Sequence, residues 1–201
     1  MHLARLTTAV AIAVASFMGG PAWASDKYTL DPMHTFVVFK IMDVGYDHVV
    51  GWFTAVAGQL TFDPADVTKS SLSVTIKTAS IDTHFAQRNK DLMSPDFLNV
   101  AEFPEMTFKS TSVKRTGDKN GKVTGELTLL GVTKPVTFAV DGPSAPGKDP
   151  WGNTRIGLSA TTKINRKDFG LAWNAALETG GFLVGEEISI TLEVQFIKAA
   201  Q

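Results

Sequence analysis

Ten consecutive residues near the C-terminus, Glu187-Ile188-Ser189-Ile190-Thr191-Leu192-Glu193-Val194-Gln195-Phe196, place a large apolar side chain at every second position and a polar one between. A β-strand points successive side chains to opposite faces, so this run is wet on one face and dry on the other. The same alternation recurs along most of the chain, and too few helical stretches remain to cover the dry face from outside. Other strands must cover it, or a ligand must fill it.

Strand-like runs fall at about 28–42, 50–62, 71–81, 105–114, 122–130, 136–141, 154–164 and 187–197. Turn signals separate them: Asp63-Pro64-Ala65-Asp66, Gly117-Asp118-Lys119-Asn120-Gly121, Gly131-Val132-Thr133-Lys134-Pro135, and the proline-rich stretch from Gly142 to Gly152. The dry parity carries Val37, Phe39 and Ile41, then Leu72, Val74 and Ile76, Met106 and Phe108, Val123, Leu127 and Leu129, Val136, Phe138 and Val140, and Ile156, Leu158 and Ile164. Lys40, Lys77, Lys109, Glu126 and Lys163 occupy the opposite parity. The first run is less clean, because Phe36 and Val38 share the parity of Lys40.

Two segments depart from this regime. Residues 85–99 contain Arg88-Asn89-Lys90-Asp91-Leu92-Met93, which predicts a short helix, and Ser94-Pro95 begins a further turn through Asp96 and Phe97. Residues 165–185 form a long connection bearing Phe169, Trp173, Leu177 and Phe182, too aromatic for a solvated linker. Eight antiparallel strands with one dry face allow a two-sheet sandwich or a closed barrel. The length of the strands and the two aromatic segments able to close a mouth favour a tall barrel, whose interior holds side chains or one small apolar ligand.

At the N-terminus, Arg5 precedes an apolar stretch from Leu6 to Met18, and Ala22-Trp23-Ala24 supplies small residues at both cleavage-determining positions. This is the layout of a signal peptide, residues 1–24, cut after Ala24. A spanning anchor needs roughly 20 apolar residues, and Gly19-Gly20-Pro21 interrupts the run first. The expected mature chain, residues 25–201, is then one exported domain, in the periplasm if the source is bacterial. Loss of Arg5 with the leader leaves 18 Lys and Arg against 20 Asp and Glu, a net charge of −2 and no basic excess for nucleic acid. The chain has no cysteine, so thiol chemistry and cysteine-based metal sites are excluded, and a domain of this length does without disulfides.

Catalytic patterns are sparse. Asp31-Pro32-Met33-His34 and Asp82-Thr83-His84 pair a carboxylate with an imidazole, yet neither has a metal-ligand spacing. A histidine capping a strand end explains each more simply. No serine sits in a nucleophile elbow and no glycine-rich loop opens a helix. The densest polar cluster is Asn165-Arg166-Lys167-Asp168-Phe169-Gly170. Arg166 there either meets an anionic or carbonyl head group at the mouth of a cavity, or pairs with Asp168 across a turn while Phe169 plugs the core and Gly170 takes a positive φ.

Six ordered motifs carry a family resemblance: Tyr28-Thr29-Leu30-Asp31 with His34-Thr35, Gly51-Trp52-Phe53, Ser94-Pro95-Asp96-Phe97-Leu98, Phe103-Pro104-Glu105-Met106-Thr107-Phe108-Lys109-Ser110, Gly125-Glu126-Leu127-Thr128-Leu129-Leu130-Gly131-Val132-Thr133, and Asn165 to Gly170. Across roughly residues 28–197 the chain resembles the YceI-like family. The resemblance implies an all-β, lipocalin-like, extended eight-stranded antiparallel barrel exported to the bacterial periplasm, which binds a polyisoprenoid, an isoprenoid quinone or a similar long amphiphile. One departure is visible: relatives usually read Arg-Asp-x-His-Leu in the helix, where this chain has Arg88-Asn89-Lys90-Asp91-Leu92.

The expected role is thus a carrier without catalytic residues, required cofactor or metal. Val37, Phe39, Ile41, Phe53, Val74, Ile76, Phe108, Leu158, Ile190 and Leu192 are expected in the barrel wall, and Phe97, Phe169, Trp173 and Phe182 in the lid. His34, Arg88 and Arg166 are the candidate head-group contacts. A tail of some 40 carbons at about 0.3 kcal/mol per heavy atom yields on the order of 12 kcal/mol, so tail burial alone would reach nanomolar binding. Two rival readings are an enzyme acting on such a lipid through Asp31 and His34, and an interaction module with a side-chain-filled barrel facing a membrane redox partner. A homodimer is a further open expectation.

Overall fold

The computed structural model describes residues 25–200, so the expected leader lies outside the described residues. The chain opens with β1 (Asp26–Asp43), turns through Val44-Gly45-Tyr46 into β2 (Asp47–Phe53), and continues into β3 (Val56–Phe62). β2 pairs with the C-terminal half of β1, from Val37↔Phe53 to Asp43↔Asp47, and β3 pairs with its N-terminal end, from Asp26↔Phe62 to Thr29↔Gln59. The two are therefore halves of one wall strand, bent at Thr54 and Ala55. β4 (Ser71–Lys77) and β5 (Ile81–Asp82) repeat the device, with the 3-10 turn Thr78–Ser80 between them.

Helix α1 (Ala86–Met93) follows, then β6 (Glu105–Arg115), β7 (Asn120–Leu129), β8 (Val132–Asp141), the two-residue β9 (Gly147–Lys148), β10 (Thr154–Asn165) and β11 (Val184–Lys198). Each neighbouring pair is antiparallel, and β11 pairs back onto β1 along Tyr28↔Lys198 to Asp43↔Val184. That last pairing closes an eight-stranded barrel and rules out the open sandwich. The strand runs read from the alternation all appear as wall strands, some starting a few residues earlier and two of them kinked.

One end of the barrel is plugged. Tyr28, Phe62, Ile156 and Phe196 are buried there, with the Tyr28 and Phe62 rings edge-on at 6.3 Å between centroids. The outer face is polar and paired across strands, as in Thr124 with Thr137 and Thr128 with Thr133, both 2.8 Å, and Lys163 with Glu187 at 2.7 Å. The mixed parity of the first strand resolves on that outer face, where Phe36 is 55% exposed. A register irregularity between Leu30 and Thr35 opposes Asp31-Pro32-Met33-His34 to Gln195, so this segment bulges out of the wall.

Two glycines let aromatic rings lie flat against the wall. Gly51 is paired with Phe39, and a Cβ there would stand 2.5 Å from Phe39 Cζ. A Cβ at Gly125 would stand 2.4 Å from Phe108 Cζ. Only hydrogen at these positions leaves both rings beside the wall rather than across the lumen.

Candidate functional site

Inside the barrel is an apolar cavity of about 540 Å³. Val37, Phe39 and Ile41 of β1, Phe53 of β2, Val74 and Ile76 of β4, Phe108 of β6, Leu158 of β10 and Ile190 and Leu192 of β11 all line it. They do so because the period-2 alternation sends one parity of every strand inward. Leu127, Phe138, Val140, Ala160, Val194 and Phe196 line it too, on parities visible in the sequence. Leu98, Leu171 and Leu183 also contribute, but they sit in irregular segments where no period points to them.

The open end is covered in part by α1 with the turn after it, and by residues 166–184. Phe97 and Trp173, one from each segment, meet across the mouth with ring centroids 5.0 Å apart. Phe169 and Phe182 are placed differently from the lid. Phe169 is 2% exposed and packs into the core outside the cavity lining, while Phe182 is 60% exposed with Lys167 Nζ 6.0 Å from its ring. The alternating pattern had no purchase on this connection, whose course is set by the 3-10 turn Arg166–Phe169, Gly170 at φ 83° and an isolated bridge between Ala176 and Phe182.

Polar lining is confined to the mouth: Asp43, Arg88, Asp91, Ser94, Asp96 and Arg166. Arg88 donates from Nε to Thr83 Oγ1 at 2.9 Å and from Nη2 to the Thr83 carbonyl at 2.6 Å, while Asn89 Oδ1 accepts from the Thr83 amide at 2.8 Å. These bonds tie α1 to the end of β5, where Thr83 is buried. Asp91, in the place of the usual histidine, accepts from Gln87 Nε2 at 2.9 Å.

Arg166 is the unusual member. It is 2% exposed, donates from Nε to the Gly185 carbonyl at 2.8 Å and from Nη1 to the Leu171 carbonyl, and leaves Nη2 buried without a hydrogen-bond partner among the described residues. Among the described residues it makes no ion pair, so the alternative in which it bridges to Asp168 is not realised. Burial pushes its guanidinium below the ordinary value, against the attraction of Glu186. An unsatisfied buried donor costs about 1–3 kcal/mol, more when charged.

His34 lies away from the cavity lining. Its Nδ1 is 2.8 Å from Asp31 Oδ2 on the outward bulge, and Arg155 bridges that carboxylate to Asp149, with Nε 2.6 Å from Asp149 Oδ2. Burial raises the Asp31 carboxyl, but hydrogen bonds from Arg155, His34 and the Met33 amide outweigh it and hold the group at about 2. The pair is thus a fastening of the bulge to β10 and its loop, outside the cavity lining. Among the described residues no cluster of His, Asp or Glu suited to a metal occurs.

A second cavity, about 290 Å³, opens at the plugged end among the turns near residues 63–70, 115–121 and 142–146. Leu72, Val123, Val140, Leu158 and Phe196 border both cavities and form the partition.

A closed antiparallel barrel with an apolar lumen and polar groups only at its mouth defines a lipocalin-like architecture. Residues 28–196 match the YceI-like domain, and the chain belongs to that family. It is 44% identical over 170 residues to a UPF0312 protein of Pseudomonas putida, covering 84% of this chain and 88% of that one. The crystal structure of the Campylobacter jejuni YCEI protein superposes with a TM-score of 0.67 at 30% identity, over 79% of this chain and 94% of that one. A polyisoprenoid binding domain from Saccharophagus degradans superposes with a TM-score of 0.61 at 17% identity, over 86% and 98%, a likeness of fold.

Proposed function

We propose that this protein is a periplasmic carrier that holds the tail of a polyisoprenoid, an isoprenoid quinone or a similar amphiphile inside the barrel. The observation that carries the reading is the lumen itself: about 540 Å³ of apolar space whose polar lining is gathered at one end. An amphiphile has that same division. The Saccharophagus degradans neighbour, named for polyisoprenoid binding, supports the ligand class. Export rests on the leader-like residues 1–24.

The volume revises the expected affinity. At about 30 Å³ per methylene-sized group, the share of a water in the liquid, the cavity takes at least about 18 carbons, three to four isoprene units. Tail burial then contributes from about 5 kcal/mol at the efficiency of drug-sized ligands to about 14 kcal/mol at the full transfer value. At the lower figure the head group contributes to tight binding.

The test is organic extraction and mass spectrometry of protein purified without added lipid, followed by titration with a prenyl benzoquinone. A long isoprenoid in the extract, or saturable quinone binding that protects Trp173 from quenching by a soluble quencher, is the expected result. Protein that yields no lipid and binds no quinone overturns the reading.

A further inference from the structure

The mouth of the lumen holds one nitrogen that the fold leaves unused. Arg166 is buried, lines the cavity, and spends Nε and Nη1 on the carbonyls of Gly185 and Leu171, leaving Nη2 without a partner among the described residues. Carbonyl oxygens are what this guanidinium already binds, and Nη2 still has its donors to give. The other guanidinium at the mouth, Arg88, is engaged with Thr83.

Charge decides what kind of oxygen fits. Besides the two guanidiniums the cavity is lined by Asp43, Asp91 and Asp96, three carboxylates against two cations. A phosphate or diphosphate would bring more negative charge to a mouth that already carries an excess of it. A neutral carbonyl meets Nη2 without that repulsion, and a hydroxyl or amide N–H on the same head could donate to Asp91 or Asp96, which accept only.

We propose that Arg166 Nη2 is the anchoring donor for the ligand head and that the site selects a neutral, carbonyl-bearing head, such as a quinone or an amide, over a phosphorylated one. The inference rests on the carrier reading above and deepens it. The bond is a charge-assisted hydrogen bond in a dry pocket, where such contacts are strongest. The tail chooses the barrel and the head chooses Arg166.

The experiment compares three probes with tails of equal length: a prenyl benzoquinone, a prenyl diphosphate and the headless prenyl hydrocarbon, each titrated against the wild-type protein and Arg166→Gln. The wild type should prefer the quinone to the diphosphate, and Arg166→Gln should weaken quinone binding about tenfold to hundredfold, the range for a hydrogen bond to a charged group. Binding of the hydrocarbon should not change. A wild-type preference for the diphosphate overturns the proposal, as does an equal loss of quinone and hydrocarbon in the variant, which would make Arg166 only a tie for residues 171–185. Should Arg166→Gln not fold, the carbonyl stretch of the quinone in the wild-type complex replaces it: a shift to lower frequency relative to the quinone in hydrocarbon supports the bond, and no shift refutes it. Hydrocarbon binding with no head preference leaves the carrier reading standing while this one fails, whereas absence of binding by all probes removes both.

Discussion

Adding one carbon at Gly125 tests whether the lumen is kept open by the wall glycines. An ideal Cβ there lies 2.4 Å from Phe108 Cζ, 2.8 Å from Phe108 Cε2 and 2.5 Å from the Lys109 carbonyl oxygen. Carbon atoms pack best at about 3.5–4.0 Å, so the ring must move by about an ångström or more, and the lumen is the free direction. Overpacking of this kind costs about 1–3 kcal/mol. In a domain of this length each kcal/mol lowers Tm by about 2–4 °C, so Gly125→Ala should melt about 2–12 °C below wild type. It should also bind a prenyl quinone more weakly, because Phe108 now stands in the tail's path.

Thermal unfolding followed by circular dichroism measures the first effect and quinone titration the second. A double-mutant cycle with Phe108→Leu then apportions the strain. Leucine lacks Cζ, so if the ring carries the clash, Gly125→Ala costs less in that background. If the Lys109 carbonyl carries it, the two changes add. A Gly125→Ala protein that melts within about 1 °C of wild type and binds quinone unchanged would refute the argument that these glycines set the shape of the lumen.

Trp173→Ala removes the contact with Phe97 that bridges the mouth, and such pairs are worth about 0.5–1.5 kcal/mol beyond their area; bound quinone should leave about two to twelve times faster in a stopped-flow chase, and an unchanged rate would deny this pair a lid role. Acid should weaken the protein through Asp31: its folded pKa of about 2 lies below the ordinary 3.8, so the carboxylate stabilises the fold above pH 4 and loses that contribution as the pH falls toward 2. Asp149 is lowered in the same direction, with burial opposed by its bonds to Arg155 and Asn153. Asp31→Asn should flatten the fall of Tm between pH 4 and pH 2, and identical acid profiles for wild type and variant would remove Asp31 as the sensitive group.

Legibility in the sequence followed the range of the interaction that decides each feature. The inward positions of Val37, Phe39, Ile41, Val74, Ile76, Phe108, Leu158, Ile190 and Leu192 were readable because strand parity is a local property of the backbone. His34 was misleading as a head-group candidate because the bulge at residues 31–34 takes it out of the alternating register, and a bulge is declared only by the partner strand. Phe182 and Phe169 had no period to read, so their aromatic character alone pointed to a lid that neither side chain forms.

By itself, then, the alternation from Ile188 to Phe196 determined which side of the last strand is dry, and all five apolar residues of that run do face the lumen. The order of motifs determined the family. Only the tertiary structure decided that β11 returns to β1, that Gly51 and Gly125 hold two rings off the lumen, and that Arg166 turns inward with one nitrogen unpaired. The physical reason is separation along the chain. Parity needs only adjacent residues, whereas barrel closure joins residues near opposite termini, and the pose of Arg166 depends on the carbonyl of Gly185, a partner 19 residues away.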